Sequence, residues 1–118
     1  MKSIHVLAAV IMILAAGIYA QAQSGKPSSQ LKTETFKVWG KCDMCKDRIE
    51  AAAKAEGASS AAWIEKTQLL TVTFDPAKTN KDALCRKLAS VGHDTEKYKA
   101  PDAVYEKLPG CCHYDRAK

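Results

Sequence analysis

Histidine is scarce in this chain. Three of its 118 residues are His, and one of them, His5, lies in an apolar N-terminal stretch. That leaves His93 and His113, so a hydrolytic zinc site of three imidazoles cannot be built, although Cys could contribute ligands. Aromatic residues are few, at 7%. Trp63 and Phe74 sit in apolar alternation and read as core, not as a stacking platform for bases. No Ser-His-Asp ordering, paired carboxylate site or glycine-rich phosphate loop stands out. The longest apolar run, Val6 to Ala16, falls short of the about 20 residues a spanning helix needs. The net charge of +5 has no basic stripe behind it, so it is no nucleic-acid signal. It suits an acidic partner face or an anionic surface. With 26% charged residues, wholesale disorder is not expected.

The N-terminus carries a targeting pattern. Lys2 is followed by the apolar run and then by Ala20-Gln21-Ala22, small residues at the −3 and −1 positions of a cleavage site. Residues 1–22 therefore read as a secretory signal peptide, which predicts export across the inner membrane to a periplasm. No cysteine ends the run, so no lipid anchor is indicated, and no stable membrane insertion is expected after cleavage. Residues 23–30 are polar and rich in breakers, a flexible leader. The rest is long enough for one small domain, placed at 31–100, with an extension at 101–118. A domain of this size gains from a disulfide or a metal.

Alternation of Phe36 and Val38 with Thr35 and Lys37 predicts a strand that Gly40 ends. Ile49, Ala52, Ala53 and Glu56 predict a helix from Cys45 to Glu56, stopped by Gly57. A second strand covers Ser59–Glu65, Lys66-Thr67-Gln68 turns the chain, and Leu70, Val72 and Phe74 mark a third strand. Thr79 or Asn80 caps a second helix with Leu84, Leu88 and Val91 on one stripe. A weak fourth strand is expected over His93–Lys99, and a short helix over Asp102–Leu108. The order is βαββαβ, an α+β, ferredoxin-like sandwich.

All five cysteines fall after residue 41. Cys42-Asp43-Met44-Cys45 bridges the first strand and helix, so two sulfurs can converge on one ion. A helix N-terminus lowers a thiol's pKa. Two soft thiolates select Cu(I) and also take Hg(II) or Zn(II), whereas a closed structural zinc site needs four ligands. CxxC alone is equally the pattern of a redox dithiol or an inert disulfide. Asp-Met between the cysteines departs from the Pro- or Gly-bearing redox motif. Cys85, beside Leu84 and one turn before Leu88, reads as a buried structural thiol.

Val38-Trp39-Gly40-Lys41-Cys42-Asp43-Met44-Cys45, Gly57–Ala61, Leu70–Pro76 and Val91-Gly92-His93-Asp94 follow one another in the order of a known module. Residues 33–100 resemble a heavy-metal-associated domain, the unit of copper chaperones, copper-ATPase tails and periplasmic mercury-binding proteins. The resemblance implies a ferredoxin-like fold with metal held by Cys42 and Cys45. Two positions depart from the family. It usually reads Gly-Met-x-Cys-x-x-Cys; here Gly40 is two before Cys42 and the buried Met is missing, leaving Trp39 or Met44 to fill its place. His93 stands where Lys or Tyr is common close to the metal, so it is either a third ligand, a support for the ligands or a solvated His.

Tyr105 to Tyr114 resembles an extension of some periplasmic members and contains Cys111, Cys112 and His113. These three could supply further ligands to the Cys42/Cys45 ion, form an auxiliary site, or make disulfides to Cys85 or between chains. The expected function is a carrier or buffer that passes Cu(I) by ligand exchange to a metal-transporting or metal-accepting protein with thiol ligands. It is a binding protein and not an enzyme, a monomer or a metal-bridged dimer, with Lys41, Lys46 and Lys54 placed to steer an acidic partner. The alternatives are a thiol–disulfide oxidoreductase resolved by Cys111/Cys112, a mercuric or zinc ion binder, or a metal-sensing subunit.

Overall fold

The computed structural model describes residues 30–118. Residues 1–22, read above as a signal peptide, lie outside the described residues, as does all but Gln30 of the expected leader. Three strands form one antiparallel sheet in the order β1-β3-β2: β1 Lys32–Lys37, β2 Ala58–Ile64 and β3 Leu69–Phe74. Alternation sorts their side chains as the period of two requires. Phe36, Trp63, Leu70, Val72 and Phe74 are buried on the inner face. The outer face pairs Thr33 with Thr73 and Thr35 with Thr71, each pair joined by a hydroxyl–hydroxyl bond of 3.0 Å. Such cross-strand pairs hold register on a solvated face.

Two helices cover the inner face, α1 (Asp43–Ala55) and α2 (Lys81–Ser90). Ile49, Ala52 and Ala53 of α1 meet the sheet, with Leu84, Cys85 and Leu88 of α2 beside them. Of the two expected caps, Asn80 serves: its Oδ1 accepts from the Ala83 N–H at 2.8 Å. The ferredoxin-like α+β fold is thus present.

The fourth strand is not. The segment after α2 meets the chain just beyond β1 at one isolated bridge, Val38↔Thr95, with Trp39 N–H donating to Asp94 O and Glu96 N–H to Lys37 O. Thr95 stops the ladder. Its Oγ1 accepts from the Lys97 and Tyr98 N–H groups, and its own N–H donates to Tyr98 O, so the chain folds back on itself. A local hydroxyl–backbone turn has beaten strand pairing.

Beyond residue 100 the chain forms α3 (Asp102–Glu106), shorter than expected, and a 3₁₀ turn at Gly110–Cys112. This extension is part of the core. Leu108, Cys112 and Tyr114 are buried within it. Leu108 lies against Gly92, where φ is +108° and a Cβ would come within 2.9 Å of the leucine; only glycine meets both demands. Tyr114 OH donates to Gly92 O at 2.6 Å and accepts from Asp94 N–H at 2.8 Å. Arg116 pairs with fully buried Asp94, Nη2 to Oδ1, at 2.7 Å. Asp94 also accepts from the N–H groups of Ala100 and Ala117.

Candidate metal centre

The loop between β1 and α1 is fixed before its cysteines are placed. Gly40 N–H donates to Gln68 Oε1 at 2.9 Å, and Val38 N–H to Gln68 O at 2.8 Å. Trp63 lies directly under Gly40, where a Cβ would stand 2.9 Å from its ring, and its indole N–H donates to Val38 O. Trp63 therefore underlies the loop. Trp39 packs half-buried at the edge, and Met44, 49% exposed, does not fill the place of the missing methionine.

Cys42 is the N-cap of α1 and Cys45 lies in its first turn, fully buried. Their sulfurs are 3.6 Å apart. The 3₁₀ turn brings the tail to the same point: Cys112 Sγ lies 3.3 Å from Cys42 Sγ. The sulfurs of Cys42, Cys45 and Cys112 all fall within 4.8 Å of one another. Three sulfurs at that separation can close on one soft ion with small rotations about χ1.

The three thiols have unlike environments. Burial works to raise Cys42, but the Cys45 backbone N–H and the neighbouring thiols of Cys112, Cys45 and Cys111 outweigh it and bring it to about 7. Burial and the contact with Cys112 push Cys45 up to about 12. The metal-free, reduced protein is thus expected to alkylate first at Cys42, with a rate rising through a midpoint near pH 7. Cys45 stays unlabelled over the same range. Iodoacetamide labelling read by peptide mass spectrometry checks this; equal labelling of the two cysteines would contradict it.

Arg48 is the cation at the cluster. Its Nη1 donates to Cys112 Sγ and to His93 Nε2, each at 3.4 Å. His93 is fully buried, and burial lowers its pKa to about 4. Its Nδ1 faces Trp39 O at 2.9 Å. A carbonyl only accepts, so Nδ1 carries the hydrogen and Nε2 is the acceptor for Arg48. His93 is therefore turned to Arg48 and lies outside the sulfur triangle. It orients the cation that contacts Cys112.

The remaining expected residues divide. Cys111 is exposed, 3.7 Å from Cys42 Sγ and 3.9 Å from Cys112 Sγ, and Met44 Sδ is 3.4 Å from it. His113 is apart from the cluster, stacked on Tyr105 with centroids 5.1 Å apart. Cys85 stays in the core of α2, and no disulfide ties it to the tail. Lys41 and Lys54 are exposed, but Lys46 is committed to Glu50 and to Trp63 O. Arg48 escaped the sequence reading although it lies three residues after Cys45, on the same helix face. The Asp94–Arg116 and Tyr114 contacts had no local signal.

The fold agrees with known structures. No protein-family model matches the chain, and no curated protein sequence does. Among solved structures, oxidized MerP from Ralstonia metallidurans CH34 is 32% identical, with 57% of this chain and 96% of that one covered and a TM-score of 0.52. The water-soluble region of the P-type ATPase CopA from Bacillus subtilis is 30% identical over 58% of this chain, with a TM-score of 0.54; the match spans 47% of that structure. The CopZ metallochaperone, at 24% identity, shares the fold over 98% of its length and 54% of this chain, with a TM-score of 0.52. The protein is a small α+β domain with a cysteine cluster at one end. It belongs to the heavy-metal-associated domain family.

Proposed function

We propose that this protein is a periplasmic carrier or buffer of Cu(I). The triangle of Cys42, Cys45 and Cys112 carries the reading. Its donors are all sulfur, without carboxylate or imidazole, and such a set favours Cu(I) over harder ions. Zn(II) prefers four ligands, and the fourth sulfur, Cys111, lies outside this triangle, near Cys42 and Cys112 only. Cys42 lies at the exposed edge and is already half ionised near pH 7, which supports it as the ligand that an incoming thiolate displaces. The partner is a metal-accepting protein with its own thiols; likeness to the soluble region of a P-type ATPase supports a transporter in that role. Lys2, the apolar run and Ala20-Gln21-Ala22 support export.

Native mass spectrometry of the reduced protein tests this, with Cu(I), Hg(II) and Zn(II) offered in turn against a competing chelator without oxygen. Cu(I) is expected to be retained, and lost in Cys42→Ser. A low Cys42 pKa beside a second thiol also favours a redox dithiol. Turnover of a disulfide substrate, with a Cys42–Cys45 bond formed and no Cu(I) retained, would overturn the carrier in favour of an oxidoreductase.

A further inference from the structure

Four sulfurs, not three, gather at the end of α1. Cys42, Cys111 and Cys112 form a second triangle with edges of 3.7, 3.9 and 3.3 Å. It shares the Cys42–Cys112 edge with the triangle that Cys45 completes. The two triangles face different surroundings. Cys45 and Cys112 are fully buried, whereas Cys111 is exposed. On the outer side Met44 Sδ lies 3.4 Å from Cys111 Sγ and is half exposed, an unbranched thioether with no place in the core.

We infer that the cluster holds two Cu(I) ions, an inner one on Cys42, Cys45 and Cys112 and an outer one on Cys42, Cys111 and Cys112. The shared thiolates bridge the pair, and Met44 offers a further soft donor to the outer ion. The inference rests on reading the inner triangle as a Cu(I) site. Thiolate sulfur has lone pairs enough to bridge, and thiolate with thioether is the donor set that selects Cu(I). Charge permits the second ion. Three thiolates and one Cu(I) leave two negative charges; adding Cys111 and a second Cu(I) adds one charge of each sign and leaves that sum unchanged. The single Arg48 contact at Cys112 therefore faces no greater imbalance. Access also permits it, since the outer triangle opens to solvent through Cys111 and Met44.

The experiment is an anaerobic Cu(I) titration of the full reduced chain against a graded competing chelator, read by native mass spectrometry. Wild type is expected to hold two Cu(I) per monomer, the second about tenfold or more weaker, and Cys111→Ser to hold one. Cys85→Ser serves as the control and keeps two. Cys111 is exposed, so its serine variant is expected to fold, which circular dichroism checks. Saturation at one ion, or a dimer holding two ions in all, would overturn the outer site and leave the carrier standing. Two ions in Cys111→Ser would overturn the assignment to Cys111. No retained ion in wild type would overturn the carrier reading itself.

Discussion

Replacing Asp94 by alanine is expected to lower the unfolding free energy by about 3 kcal/mol, the low end of what breaking a buried ion pair costs. The low end applies because Arg116 is 19% exposed and can turn toward water once its partner is gone. Asp94 itself is fully buried and has no such escape. Besides Arg116 it accepts from the N–H groups of Ala100 and Ala117, which the variant would leave without an acceptor. For a domain of this size the melting temperature is expected to fall by roughly 10–20 °C, measured by circular dichroism. The effect has a pH signature. Burial works to raise the Asp94 pKa, but Arg116 and the two backbone donors hold it below the usual carboxylate value. A depressed pKa contributes stability above the unfolded value of about 3.9 and loses it as pH falls through the folded one. The gap between wild type and Asp94→Ala is therefore expected to narrow below about pH 4. A gap that stays constant to the lowest pH would mean the carboxylate charge is not what clamps the tail.

Cys112→Ser is expected to weaken the first Cu(I) by about 100-fold or more. Loss of a group that merely orients a ligand costs 10–100-fold, and here a ligand itself is removed. Serine keeps the size but replaces a soft donor by a hard one. Arg48, now 3.4 Å from the sulfur, would face a hydroxyl in its place. Competition with a chelator gives the affinity, and X-ray absorption is expected to count two sulfurs around the ion instead of three. An unchanged affinity would make the tail a bystander, with Cys42 and Cys45 holding the ion alone.

Much of this could be read from local pattern. Alternation found three strands, helical spacing found α1 and α2, Asn80 was an expected cap, and Cys42 and Cys45 stood out by spacing. What failed were features decided at a distance. The fourth strand failed because the Thr95 hydroxyl offers the backbone a turn that competes with pairing. Cys111, Cys112 and His113 looked equivalent on the tail, yet the 3₁₀ turn buries Cys112, exposes Cys111 and stacks His113 on Tyr105. The contacts responsible, Tyr114 with Gly92 and Arg116 with Asp94, join residues that no period of 2 or 3.6 relates. His93 could be read by position as a ligand, a support or a solvated His; it is buried, with Arg48 and Trp39 O as its partners.

Cys42 and Cys112 stand 70 positions apart. A ribosome adds about 5–20 residues each second, so the loop emerges roughly 4–14 s before the tail cysteine is made. Through most of that interval the nascent chain has the two cysteines of the loop and then Cys85, which is bound for the core of α2, so an ion met then would have only the two loop sulfurs to hold it. The third arrives with the Asp94–Arg116 clamp, as a late, long-range closure. In the life of a single molecule, the loop pair and the third sulfur are thus made at separate times, ordered by the direction of translation.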